Sequence, residues 1–178
     1  MSNRSDDAKA VLLRPLDADA QKTYERALRL LSFRARSAKE LHDRLLEKGE
    51  PAAQVEAVMA RLLANGLIDD TRYAEARART GIVGKARSSR RLQQDLARRG
   101  VSRDVAGAAI QKVLADEGTD EVAVAERAAR KKLRSLADLE PAERRQKLWA
   151  FLARQGYGPD VVRRALRAVL DMPPPDED

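Results

Sequence analysis

Asp69 and Asp70 form the carboxylate pair with the strongest claim to chemistry, because adjacent acids can share a proton or a metal ion. They sit in Gly66-Leu67-Ile68-Asp69-Asp70-Thr71, a turn that runs into the next helix. An acid at a helix start accepts hydrogen bonds from free N–H groups and complements the helix dipole. A metal site would need further oxygen ligands converging on the pair, and no sequence pattern supplies them. Helix capping is therefore the expected role. His42, the single histidine, follows Leu41 on a helical stretch and is expected to face solvent. The chain has no G-x-S-x-G, no H-E-x-x-H, no phosphate loop and no dinucleotide fingerprint. Cysteine is absent, which excludes disulfides and thiolate metal sites. No catalytic residue, metal or cofactor is expected, and the chain reads as a non-enzyme.

Charge is the second source of chemistry. Lys and Arg number 35 against 28 Asp and Glu, a net charge of +7 over 178 residues. Asp171, Asp176, Glu177 and Asp178 close the chain, and setting those four charges aside leaves +11 on residues 1–170. A basic body suits a polyanion such as nucleic acid, or an acidic protein surface. The cations are also clustered. Lys85, Arg87, Arg90, Arg91, Arg98 and Arg99 face one acid, Asp95, along the middle of the chain. Arg144, Arg145 and Lys147 with Arg163, Arg164 and Arg167 form a later group. These twelve are the candidate partner-binding residues. Arg87, Arg91 and Arg98 would share one face if the helix containing Leu92 began near Arg87. Between the two groups lies a further run, Arg127, Arg130, Lys131, Lys132 and Arg134. Six aromatic residues, several on apolar faces, make a poor stacking platform for single strands.

The elements that must carry these charges are helices. Ala, Leu, Arg, Glu and Lys dominate, and no segment alternates in the period of a strand. Three stretches superimpose without gaps: Leu41–Leu63, Leu92–Leu114 and Leu148–Leu170. Each opens with Leu, repeats Leu four residues on (Leu45, Leu96, Leu152) and meets Gly after four more (Gly49, Gly100, Gly156). An apolar set follows at six, ten, thirteen and fourteen residues beyond each Gly. A helix ended by a left-handed glycine and followed by a second helix explains that pattern. Ser37 with Glu40 predicts a capping box, Pro51 and Pro159 first helical positions, and Ser102 and Thr119 further caps. A third helix precedes each pair: Tyr24, Ala27, Leu28 and Leu31 mark the first, Val122, Ala125, Ala129, Leu133 and Leu136 the last. The middle one is weakly striped, Tyr73-Ala74 giving way to an Arg/Ala run broken by Gly81 and Gly84.

The expected architecture is all-α: three tandem three-helix repeats, about nine helices and no sheet, in an elongated array. Residues 20–69, 70–118 and 119–170 make the repeats, with a flexible tail at 1–19 and an acidic, proline-rich tail at 171–178. No stretch has the length and apolarity of a signal peptide or membrane span, so the expectation is a cytoplasmic monomer without a membrane partner.

Those residues carry a resemblance. Leu31-x-x-Arg34-x-x-Ser37-x-x-Glu40-Leu41-x-x-x-Leu45 resembles the first-repeat signature of the RecX family. Gly66-Leu67-Ile68-Asp69-Asp70-x-x-Tyr73-Ala74 is similar to its Gly-apolar-Ile-Asp-Asp-x-x-Phe-Ala motif, with Tyr for Phe. Leu92-x-x-x-Leu96-x-x-x-Gly100-Val101 and Leu148-x-x-x-Leu152-x-x-x-Gly156-Tyr157 continue it. Gly81-Ile82-Val83-Gly84-Lys85 departs from the Gly-Lys-containing stretch usual there. The resemblance implies a regulator that binds the groove of the RecA filament on DNA. It also implies suppression of strand exchange, ATPase and co-protease activity, and faster filament disassembly. The helix–Gly–helix units offer the alternative of a helix-turn-helix protein acting on DNA directly.

Overall fold

The computed structural model describes residues 15–170. Residues 1–14 of the expected N-terminal tail, and all of the expected tail at 171–178, lie outside them. Among the described residues there are nine α-helices and no strand. They are α1 (Ala18–Phe33), α2 (Ala38–Glu47), α3 (Ala52–Ala64), α4 (Asp70–Arg79), α5 (Ser89–Arg98), α6 (Arg103–Asp116), α7 (Glu121–Leu133), α8 (Pro141–Arg154) and α9 (Pro159–Leu170). A π-helical turn, Thr80–Gly84, continues α4, and a 3₁₀ turn, Arg134–Leu136, continues α7.

Local chemistry sets most of the boundaries. Ser37 caps α2 by accepting from the Glu40 N–H, and Glu40 reaches back to the Ser37 N–H, so the capping box is present. Gly49, Gly100 and Gly156 end α2, α5 and α8 at φ of 83°, 82° and 88°, the left-handed region glycine enters without strain. Asp69 caps α4, its Oδ1 accepting from the N–H groups of Thr71 and Arg72 at 2.8 and 3.0 Å. Pro159 is the first residue of α9. Two expectations need correction. Pro51 is not the first residue of α3 but its extended cap, with ψ of 135°. Asp120 rather than Thr119 caps α7, because its carboxylate accepts from Ala123 N–H one residue nearer the helix.

The described residues divide into two compact units: those up to Tyr73 with Ala97–Ser102, and Ala74–Leu96 with Arg103 onward. In the first unit α1, α2 and α3 pack against one another. Its core holds Ala20, Ala27, Leu41, Leu45, Val55, Val58, Met59, Leu62 and Ile68. In the second, α7, α8 and α9 make the same three-way packing over Leu148, Leu152, Val162 and Leu166. The Leu pair before each turn glycine is buried in all three copies. The stripe is narrower at its end than expected, since Leu63 is 50% exposed while its counterpart Leu114 is buried. Leu28 also reaches the surface.

The weakly striped middle helix is better buried than its sequence suggests. Tyr73, Ala74 and Ala78 of α4, and Ile82 of the π turn, all lie in the interior. Gly81 does not interrupt this packing but permits it. A Cβ there would stand 2.3 Å from Leu92 Cδ2, closer than any side chain tolerates.

One joint recurs in both units. The Ser37 hydroxyl, besides capping α2, donates to the Arg99 carbonyl just before Gly100. The Ser88 hydroxyl does the same with the Gln155 carbonyl just before Gly156, at 2.8 Å. Behind each serine, the first N–H of the helix goes to a distant carboxylate: Ala38 to Asp70 at 2.8 Å, Ser89 to Glu121 at 3.0 Å. Each helix start is thus fastened to the turn glycine and first helix of the following repeat.

Candidate polyanion-binding surface

Helix α7 buries Val124, Ala125, Ala128 and Ala129, so Arg127 and Lys131 stand one turn apart on its other side. Arg127 is committed locally, donating to the Ile82 carbonyl at 3.2 Å and to Thr119 Oγ1 at 3.4 Å. It fastens α7 to the π turn. Beyond that turn the chain reverses through Ala86, the one non-glycine residue with positive φ, 44°, among the described residues. Such a conformation costs an alanine on the order of 1–2 kcal/mol. Two bonds hold it: the Tyr157 hydroxyl donates to the Ala86 carbonyl at 2.7 Å, and Arg87 N–H donates to the Gly81 carbonyl at 3.0 Å. Burial, aided by Glu121 and opposed by Arg127, pushes the Tyr157 phenol well above its ordinary range, so it remains a donor.

This corner presents Lys85 to a groove of about 440 Å³ bordered also by Arg127, Lys131, Lys132, Phe151 and Gln155. No carboxylate lines it. The ammonium groups of Lys85, Lys131 and Lys132 have no ion-pair or hydrogen-bond partner among the described residues. Uncompensated cations around a concavity focus a positive field on whatever enters.

The other sequence candidates divide by what they touch. Arg90, Arg98, Arg145, Arg164 and Arg167 are exposed. On α9, Arg163, Arg164 and Arg167 share a shallow hollow with Asp160, which pairs with Arg163. Lys147 pairs with Glu143 at 2.8 Å. Arg144 donates to the Ala137 and Leu139 carbonyls at 2.8 Å each, closing the turn before α8. Arg91 donates to the Arg154 carbonyl at 3.3 Å, beside the second joint. Arg87 precedes α5, whose first residue is Ser89, so the face it was expected to share with Arg91 and Arg98 does not form. Arg99 is held inside the first joint, donating to Glu40 at 2.7 Å and to the Tyr73 hydroxyl at 3.3 Å.

Glu40 is the centre of that cluster. Burial pushes its carboxyl up, but hydrogen bonds from Arg34, Tyr73 and the Ser37 backbone outweigh it and hold the group below its ordinary value. His42 is half-buried and contacts Glu56 at 3.1 Å. The groove on α7 was only partly visible in the sequence: the cationic run was apparent, its union with Lys85 across the π turn was not.

Comparison with known proteins comes out the same along the length of the chain. Models of the first, second and third three-helix domains of RecX match residues 24–62, 69–110 and 119–166. Regulatory protein RecX of Pelodictyon phaeoclathratiforme is 34% identical over 152 residues, 85% of this chain and 91% of that one. The Mycobacterium avium protein of the same name is 36% identical over 145 residues, 80% of this chain and 82% of its own. The crystal structure of RecX from Lactobacillus salivarius shares the fold, with a TM-score of 0.74 at 22% identity, over 88% of this chain and 100% of that one.

Proposed function

The chain belongs to the RecX family, and from that premise we propose that it is a non-enzymatic regulator of the RecA recombinase, acting in the cytoplasm on filaments assembled on DNA. It binds the filament groove, suppresses strand exchange, ATPase and co-protease activity, and favours disassembly. The observation that carries this reading is the fate of the family motifs. Ser37, Glu40, Asp70 and Tyr73 converge on one joint, and none of them is arranged around a reaction centre. A filament presents binding sites at fixed intervals, and a regulator that spans them gains from having successive repeats fastened in register. The exposed cations Arg90, Arg98, Arg145, Arg164 and Arg167 supply contacts to an acidic or phosphate-bearing partner.

The test is co-sedimentation with RecA filaments formed on single-stranded DNA, alongside strand exchange. Expected outcomes are retention by filaments beyond that by naked DNA, and a dose-dependent loss of joint molecules. Equal retention by naked duplex, with sequence preference, would replace this reading with direct DNA binding.

A further inference from the structure

We propose that the groove between α7, α8 and the π turn is a binding site for a nucleoside phosphate, either a free nucleotide or one unit of a single-stranded DNA. Three unrelated features meet there. The first is charge: Lys85, Lys131 and Lys132 surround the space with no acid among the lining residues and no partner among the described residues. The second is the backbone. A π turn and a left-handed alanine lie in succession, fixed by the Tyr157 hydroxyl, and together set the position of Lys85. Strain of this kind persists where the surroundings over-determine it, and it concentrates at binding sites. The third is composition. Phe151 and Gln155 border the same space as Lys85, Lys131 and Lys132.

The division of labour follows. Ammonium groups neutralise a phosphate, and an aromatic side chain offers its face to a base. An amide can both donate to and accept from a base edge. The volume of about 440 Å³ admits one nucleotide unit rather than a helix or a duplex. Arg127 acts as a positioning residue, since its guanidinium is spent on the Ile82 carbonyl and Thr119. The site requires no recombinase, so its test is independent of the regulatory function.

Binding is measured by fluorescence anisotropy of a labelled oligothymidylate, by calorimetry with ADP, and with inorganic phosphate as the probe lacking a base. Lys131→Glu with Lys132→Glu is compared with Lys22→Glu with Arg29→Glu, an equal charge change on α1, and both are checked for an unaltered melting curve. The groove pair is expected to lose oligonucleotide affinity by about tenfold or more at low salt, with a shallower salt dependence, and the α1 pair to lose far less. Phe151→Ala is expected to weaken oligothymidylate or ADP without affecting phosphate. Binding of ADP identifies a free nucleotide as the occupant; binding of the oligonucleotide alone identifies the strand. Equal losses in the two charge pairs, or no binding of either probe by the unaltered chain, overturns the site.

Discussion

Tyr73 donates its hydroxyl to Glu40 at 2.9 Å, tying the second family motif to the capping box of the first. Arg99 enters the same carboxylate at 2.7 Å from beside the turn glycine of the middle repeat. The three residues are separated by 33 and 26 positions in the chain, so this contact exists only when the helices are docked. Their partnership gives the Ser-x-x-Glu and Asp-Asp-x-x-Tyr motifs a structural reason.

Removing the carboxylate takes an acceptor from the buried Tyr73 hydroxyl, the Arg99 guanidinium and the Ser37 N–H. Glu40→Ala is expected to destabilise the first unit by about 1.5–3 kcal/mol, the range for hydrogen bonds to charged groups. Glu40→Gln, which retains an acceptor and part of the capping box, should fall well short of that. Urea unfolding followed by circular dichroism checks the pair.

The glycines divide by cause. Gly81→Ala drives a methyl into Leu92 and is expected to cost about 1–3 kcal/mol through overpacking. Gly49→Ala meets no neighbour within 4 Å, so only its φ of 83° opposes it, at about 1–2 kcal/mol. Adding Leu92→Ala should recover part of the first loss and none of the second. Additive losses in both double variants would remove Leu92 as the cause.

Alkali should unfold the protein through its tyrosines. Burial pushes Tyr73 up, and Glu40 adds to the shift; burial does the same to Tyr157. A phenol raised in the folded state contributes stability that is complete below its unfolded value of 10.0. That contribution is lost as pH rises from there through the folded value. Glu40, held low, behaves oppositely: its contribution is complete above the unfolded value of 4.5 and is lost as pH falls through its folded value. Melting temperatures from pH 8 to about 11 should decline less steeply in Tyr157→Phe, from a lower starting stability.

Surface cations should separate function from folding. Arg90→Glu with Arg98→Glu alters two exposed residues of α5 and should shift the melting temperature only slightly. Inhibition of RecA should weaken, most visibly at low salt, where the attraction of these cations is least screened. Arg99→Glu should instead lower stability, because it places an acid against Glu40.

Much of this architecture was legible in the sequence because it is dictated locally. A Leu–Leu–Gly register, a capping serine and a left-handed glycine act within a few residues, and three copies reinforced one another. The Asp69 cap was legible for the same reason. Its neighbour was not: Asp70 serves Ala38, 32 residues away, and no local pattern encodes that partner. Arg99 and Arg91 look like surface cations in the sequence because charge alone does not distinguish a solvated guanidinium from one bound to a carboxylate or carbonyl. The α7 groove stayed hidden because Lys85 reaches it through a π turn and a strained alanine, a backbone path that propensity disfavours. Pro51 and Thr119 missed their places by one residue, the scale on which competing caps decide a helix boundary.

The central claim is regulation of RecA, and the most direct measurement is the steady-state ATPase rate of RecA on single-stranded DNA titrated with the full chain, with light scattering recorded in the same cuvette. The expected result is a fall in ATPase rate with a parallel fall in scattering as the chain is added, reaching a plateau at saturation. An unchanged rate and unchanged scattering up to an excess of chain over RecA would contradict it.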